Sequence, residues 1–239
     1  MTHRLAAVLA FVAASTLPAA ADPGIALLPQ APGQRVSYHI VHTVQTPGGP
    51  QAATLDAALV GRADGGVAIE RTGPTGVPNL VVLKAGPAGA LAPSSTDAAA
   101  DGELADVLFA LNVAIAATRE GDPAASGTWL ATIPTAPGPG ASAAPVVLVP
   151  ATPGRGDFDF AGSTEITEIP APPIVPRRGP SPPPQLHPAA GITVLVRVDG
   201  HAAAGRAQRV GVTFTRIVTV GNLPFVNGSS WTIAVGAEP

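Results

Sequence analysis

The sequence predicts an α+β fold that is mainly β, a bent antiparallel sheet or incomplete barrel packed around one central helix. Three observations carry this expectation. Alternating apolar and polar runs recur before and after the middle of the chain. A single stretch, Asp101 to Glu120, repeats Leu104, Leu108, Leu111, Ile115 and Thr118 at helical spacing, with Phe109 and Val113 widening the apolar face. Runs of strands interrupted by one helix fit a single α+β domain better than strands alternating with helices, the pattern of a parallel sheet.

The first 21 residues read as an export signal. His3 and Arg4 open it, Leu5 to Leu17 is apolar, and Ala19-Ala20-Ala21 is a small-residue cleavage site before Asp22. That apolar run is shorter than the roughly 18 to 20 residues a membrane-spanning helix needs. The expected products are a signal peptide at 1–21 and one β-rich domain at 22–239, secreted or periplasmic.

Loss of Arg4 leaves 12 Lys and Arg against 16 Asp and Glu, so the mature chain is net acidic and nucleic acid is not an expected partner. With no cysteine, the chain offers no disulfide, thiolate metal site or lipid-anchoring thiol. Alanine inflates the 46% hydrophobic content, and 27 Gly with 28 Pro predict many loops, so a thin core is expected.

In order, Asp22 to Gly33 is a Pro-rich lead-in. Arg35 to Gln45 alternates as a first strand, with Val36, Tyr38, Ile40, His42 and Val44 on one face. The turn Thr46 to Pro50 leads to a second strand over Ala53 to Val60, making a hairpin. Asp64-Gly65-Gly66 precedes a third strand, Val67 to Arg71. Leu80 to Leu83, apolar on both faces, is a fourth strand expected to be central or under the helix.

Asp101 can cap the helix N terminus, Glu103 and Asp106 suit its positive end, and Gly121 before Asp122-Pro123 stops it. Strand signals resume at Trp129 to Ile133 and Val146 to Val149, with Pro134 to Pro145 as a loop. Asp157 to Ile169 follows, with Gly162 as a bulge or bend. Pro170 to Pro188 holds nine prolines in nineteen residues, which forbids ladder pairing and makes it a spacer. The last strands are Ile192 to Val198, Arg209 to Val220 and Trp231 to Val235, with turns at Asp199-Gly200 and Asn227-Gly228.

This order of strands and one inserted helix, over most of the mature chain, resembles the bacterial lipoprotein-localisation carriers, exported proteins whose incomplete β-barrel is closed by helices. No sequence motif accompanies the resemblance. It implies an acyl chain as ligand.

No residue pattern specifies a catalytic site: Gly-x-Ser-x-Gly and His-Glu-x-x-His are both missing. His39 and His42 lie three apart on a strand, hence on opposite faces, which disfavours a shared metal. Asp157 and Asp159 share a face with Glu165 and are the weak candidates for calcium or acid/base work, against a solvated face opposite Phe158 and Phe160. Asp199 and His201 could pair in a loop beside a distant Ser. Arg155-Gly156-Asp157 reads as a plain turn. Pro139 and Pro145 interrupt the dinucleotide-like Gly138-x-Gly140, and Arg177-x-x-Pro180-x-x-Pro183 reads as spacer rather than SH3 ligand.

The expected function is a non-enzymatic binding or carrier module for a lipid or small apolar ligand, with no cofactor. A hydrolase with scattered Asp, His and Ser, or a passive envelope protein, are the alternatives.

Overall fold

The computed structural model describes residues 26–72, 78–85, 90–95, 101–118, 127–137, 141–152, 157–168, 192–220 and 223–236. The expected signal peptide, the Arg155-Gly156 pair, Gly138-x-Gly140 and the proline-rich spacer lie outside them. The elements are β1 (Arg35–Thr46), β2 (Gly49–Gly61), β3 (Val67–Thr72), β4 (Pro78–Ala85), β5 (Leu91–Pro93), α1 (Gly102–Thr118), β6 (Trp129–Pro134), β7 (Ala143–Pro150), β8 (Asp157–Glu168), β9 (Ile192–Ala203), β10 (Arg206–Val220) and β11 (Leu223–Gly236).

The strands form one open antiparallel sheet in the order β5-β4-β3-β2-β1-β11-β10-β9-β8-β7-β6. Two meanders therefore meet in the middle, where the first strand pairs with the last from Ser37↔Gly236 to Val44↔Ser229. α1 connects β5 and β6, the two edges. It lies on the concave face, where Val36, Tyr38, Ile40, Val196, Phe214 and Ile233 join its leucines in one core.

Strand alternation behaves as the sequence implies. In β7 every second residue is buried, and in β8 Phe158 and Phe160 are buried beside exposed Asp157 and Asp159, with the inward positions beyond them half-buried. Asp101 caps α1 as expected, its carboxylate accepting the Leu104 N–H at 3.1 Å. The first turn of α1 exposes Gly102, Glu103, Ala105 and Asp106, whereas from Val107 onward nearly every residue is buried. The concave sheet covers that second half on most sides.

Several expectations are corrected. Five strands precede the helix, because β5 pairs with β4 from Leu83↔Pro93 to Ala85↔Leu91. β4 is second from the edge rather than central, though it does lie under the helix, where its buried Leu83 faces Ile115 across a cleft, and its outward Leu80 is exposed. β7 begins at Ala143, inside the expected loop, where Ser142 accepts the Thr135 N–H.

Asp199 and Gly200 lie inside β9, paired with Gly211 and Val210, and the turn falls at Ala204-Gly205, both at positive φ (51° and 72°). Asn227 and Gly228 lie inside β11, opposite Arg216 and Thr215, and the hairpin closes at Val220↔Leu223. Gly162 sits in an unbroken ladder with Val198. A Cβ there would stand 2.2 Å from the Val147 carbonyl oxygen, so close approach of β7, not a bulge, requires glycine.

Candidate functional site: an apolar cleft beneath the helix

The helix is fastened to both edges of the sheet. On the β5 side the Asn112 amide accepts the Leu91 N–H at 2.6 Å and donates to the Leu91 carbonyl at 2.9 Å. One side chain thus completes the edge strand as a neighbouring strand would. On the β6 side the Trp129 indole donates to the Ala117 carbonyl at 2.9 Å, satisfying a C-terminal helix oxygen that lacks an intrahelical partner.

Packing along the helix is unequal. Against β10 and β11 it is held by aromatics: the Phe109 ring lies 5.6 Å from Trp231, nearly perpendicular at 74°, and 6.1 Å from Phe214. Against β3, β4 and β5 the side chains it meets among the described residues are aliphatic, and there a cleft of about 280 Å³ opens. Val67, Leu83 and Leu91 line it from the sheet, Ile115 from the helix and Leu28 from the lead-in, with Gly65 and Gly66 at the β2–β3 turn. Among the described residues no charged side chain lines it. Its volume is near the lower end of the range for small-molecule sites, about 300 to 1,000 Å³.

The lead-in that supplies Leu28 is itself anchored. Ala26 bridges to Arg206, exchanging main-chain hydrogen bonds with Gly205 and Ala207, and Leu27 is buried. The Tyr38 hydroxyl donates to the Leu27 carbonyl at 2.6 Å. Burial pushes the Tyr38 phenol far above its ordinary range, with nearby Arg206 opposing, so it stays a neutral donor. A second hollow of about 470 Å³ near the helix N terminus is lined by inward Tyr38, Ala57 and Leu104 but also by outward His39, Asp56 and Arg35. Those two sets face opposite sides of the sheet, so it is not one compartment.

The sequence-derived candidates lie elsewhere. Asp157 and Asp159 stand on the convex face, about three-quarters exposed, and flank His201: Asp159 Oδ1 is 3.1 Å from Nδ1 and Asp157 Oδ1 is 3.5 Å from Nε2. Glu165 shares their face near the other end of β8. Among the described residues no group of three His, Asp or Glu side chains is arranged to hold a metal ion. Asp199 and His201 do not pair, since Asp199 accepts from Arg209 at 3.0 Å.

His39 and His42 point to opposite faces. His39 meets Asp56 across the β1–β2 ladder at 2.8 Å, while His42 stacks on Trp231 with centroids 3.6 Å apart. The cleft itself was not apparent in the sequence. The one signal was Asn112, a lone amide within an apolar helix, which marks a hydrogen-bonding partner at that depth.

No known family model matches the chain, and no curated protein is significantly similar to it. Among the described residues no helix is long and apolar enough to cross a membrane.

Proposed function

We propose that this chain is an exported, non-enzymatic binding or carrier protein that holds a lipid or other small apolar molecule between α1 and the β3–β5 side of the sheet. The observation that carries the reading is the lining of the 280 Å³ cleft, hydrocarbon and glycine from three strands, the helix and the lead-in. An apolar space of this kind holds water poorly and takes apolar ligands instead. Export rests on the basic, apolar and Ala-rich segments of Met1 to Ala21. The resemblance to lipoprotein-localisation carriers supports an acyl chain as the ligand.

Native mass spectrometry after mild extraction tests the reading, with a co-purifying lipid or apolar molecule as the expected result. Val67→Phe, which fills the cleft from β3, is expected to weaken binding of a fluorescent fatty acid on the order of tenfold, because an overfilled site must repack. A parent protein that binds neither endogenous lipid nor the probe would sink the proposal, and turnover of an ester panel would replace it with the hydrolase.

A further inference from the structure

Among the described residues the β10–β11 hairpin outruns both neighbours. β1 last pairs with β11 at Val44↔Ser229, and β9 first pairs with β10 at Ile192↔Val218, whereas the β10–β11 ladder continues to Val220↔Leu223. Its last four rows run from Ile217↔Val226 to that closing pair, and Thr219 is their one polar residue. At about 3.4 Å per row they make a ribbon roughly 10 Å tall.

The ribbon is apolar on both faces. Leu223 and Phe225 share the side of Trp231, while Pro224 and Val226 face the opposite way. Leu223, Phe225 and Val226 are 67%, 57% and 66% exposed. No charged residue occurs from Ile217 to Gly228, and the first row below the ribbon is Arg216↔Asn227. Arg216 donates to the Thr135 carbonyl and lies 5.9 Å above the Phe214 ring. A guanidinium carries five N–H groups, so others remain for a further acceptor. Glu168, on β8 beyond β9, accepts from the Thr135 hydroxyl at 2.7 Å.

The free edge of the ribbon does not suit strand addition. In a two-residue hairpin the closing pair bonds to itself, so Pro224 and Val226 direct their main chain to the open side. Pro224 has no N–H to offer there. What remains is a wedge of side chains, and its two apolar faces distinguish it from a one-sided protein contact. A lipid bilayer surrounds both faces, and apolar groups of interfacial elements sink about 5–10 Å into it.

We propose that the end of the β10–β11 hairpin docks this protein on a lipid bilayer, with Leu223, Phe225 and Val226 in the acyl layer and Arg216 and Asn227 at the headgroup phosphates. The complementarity is of uncharged ribbon to hydrocarbon and of cation to phosphate. The inference does not depend on a ligand in the cleft.

Flotation of the full chain with vesicles of phosphatidylcholine and phosphatidylglycerol tests it. The parent is expected to float, and Leu223→Asn combined with Phe225→Asn to lower the vesicle-bound fraction on the order of tenfold or more. Leu130→Asn with Val147→Asn, which alters exposed apolar residues on β6 and β7, should float like the parent. Circular dichroism identical across the three proteins excludes misfolding as the cause. A parent that stays in the aqueous layer, or a hairpin variant that floats equally well, overturns the proposal. So does a parent that is dimeric in solution and stays in the aqueous layer while the hairpin variant is monomeric, which assigns the ribbon to a second copy of the chain.

Discussion

His42 and His39 differ by three positions in β1, and that spacing decides their surroundings. His39 meets Asp56 on the convex face, while His42 lies flat on Trp231 inside the sheet. Burial lowers the His42 pKa below the ordinary histidine value of about 6.5, and the Asp106 carboxylate opposes the shift without cancelling it. The folded state therefore disfavours the protonated ring. Below the unfolded value the unfolded chain binds more protons, so stability is retained above about pH 6.5 and declines as pH falls toward the folded value. Denaturant unfolding between pH 7.5 and 5 is expected to show this decline in the parent and a shallower one in His42→Phe. Equal slopes would mean that the stacked imidazole is not the group responsible. Facing was legible for such residues because side chains alternate along a strand. Partners were not: nothing in the spacing of Asp199 and His201 tells that one meets Arg209 and the other Asp159, since a ladder register decides it.

At the scale of elements, the helix was legible from its apolar periodicity and its Asp101 cap. Turn residues were poorer guides. Asp199-Gly200 and Asn227-Gly228 are strong hairpin signals, yet each lies within a ladder, the first paired with β8 and β10 and the second with β10, and the gain from continued pairing outweighs the local preference. Gly200 has its own reason to be glycine, because a Cβ there would lie 2.2 Å from the Phe160 ring. β5 was invisible because it has only three residues and owes its place to Asn112 of the helix. Two substitutions in α1 separate packing from edge closure. Leu111→Ala, at a fully buried position, should cost about 2–5 kcal/mol. Asn112→Ala should cost about 1–3 kcal/mol by leaving the Leu91 N–H and carbonyl without their partner. Hydrogen exchange distinguishes them: at matched stability only Asn112→Ala should speed exchange of the Leu91 amide. Unchanged exchange there would show that the amide does not close the edge.

The molecule as a whole is organised by where the chain's last three strands go. β9, β10 and β11 do not append to an edge; they fill the centre of the sheet, between β8 on one side and β1 on the other. β8 and β9 pair over twelve residues, from Asp157↔Ala203 to Glu168↔Ile192, and β1 and β11 over eight. Composition could not reveal this, because a meander read in order suggests that sequence neighbours pair but not that the first strand meets the last. The proline-rich stretch between β8 and β9 therefore joins strands already held by ladders on both sides. Replacing Pro176 to Pro184 with a Gly/Ser linker carrying a protease site should preserve the fold, at a cost of something like 1 kcal/mol from the more flexible unfolded chain. After cleavage the C-terminal fragment remains paired to β8 and β1 at once, while the N-terminal fragment keeps the helix that packs on β10 and β11. The cleaved protein should elute as one species in native buffer and separate only in denaturant. Fragments that part in native buffer would mean that β9–β11 fold as a unit of their own, and the continuous sheet would not describe the protein in solution.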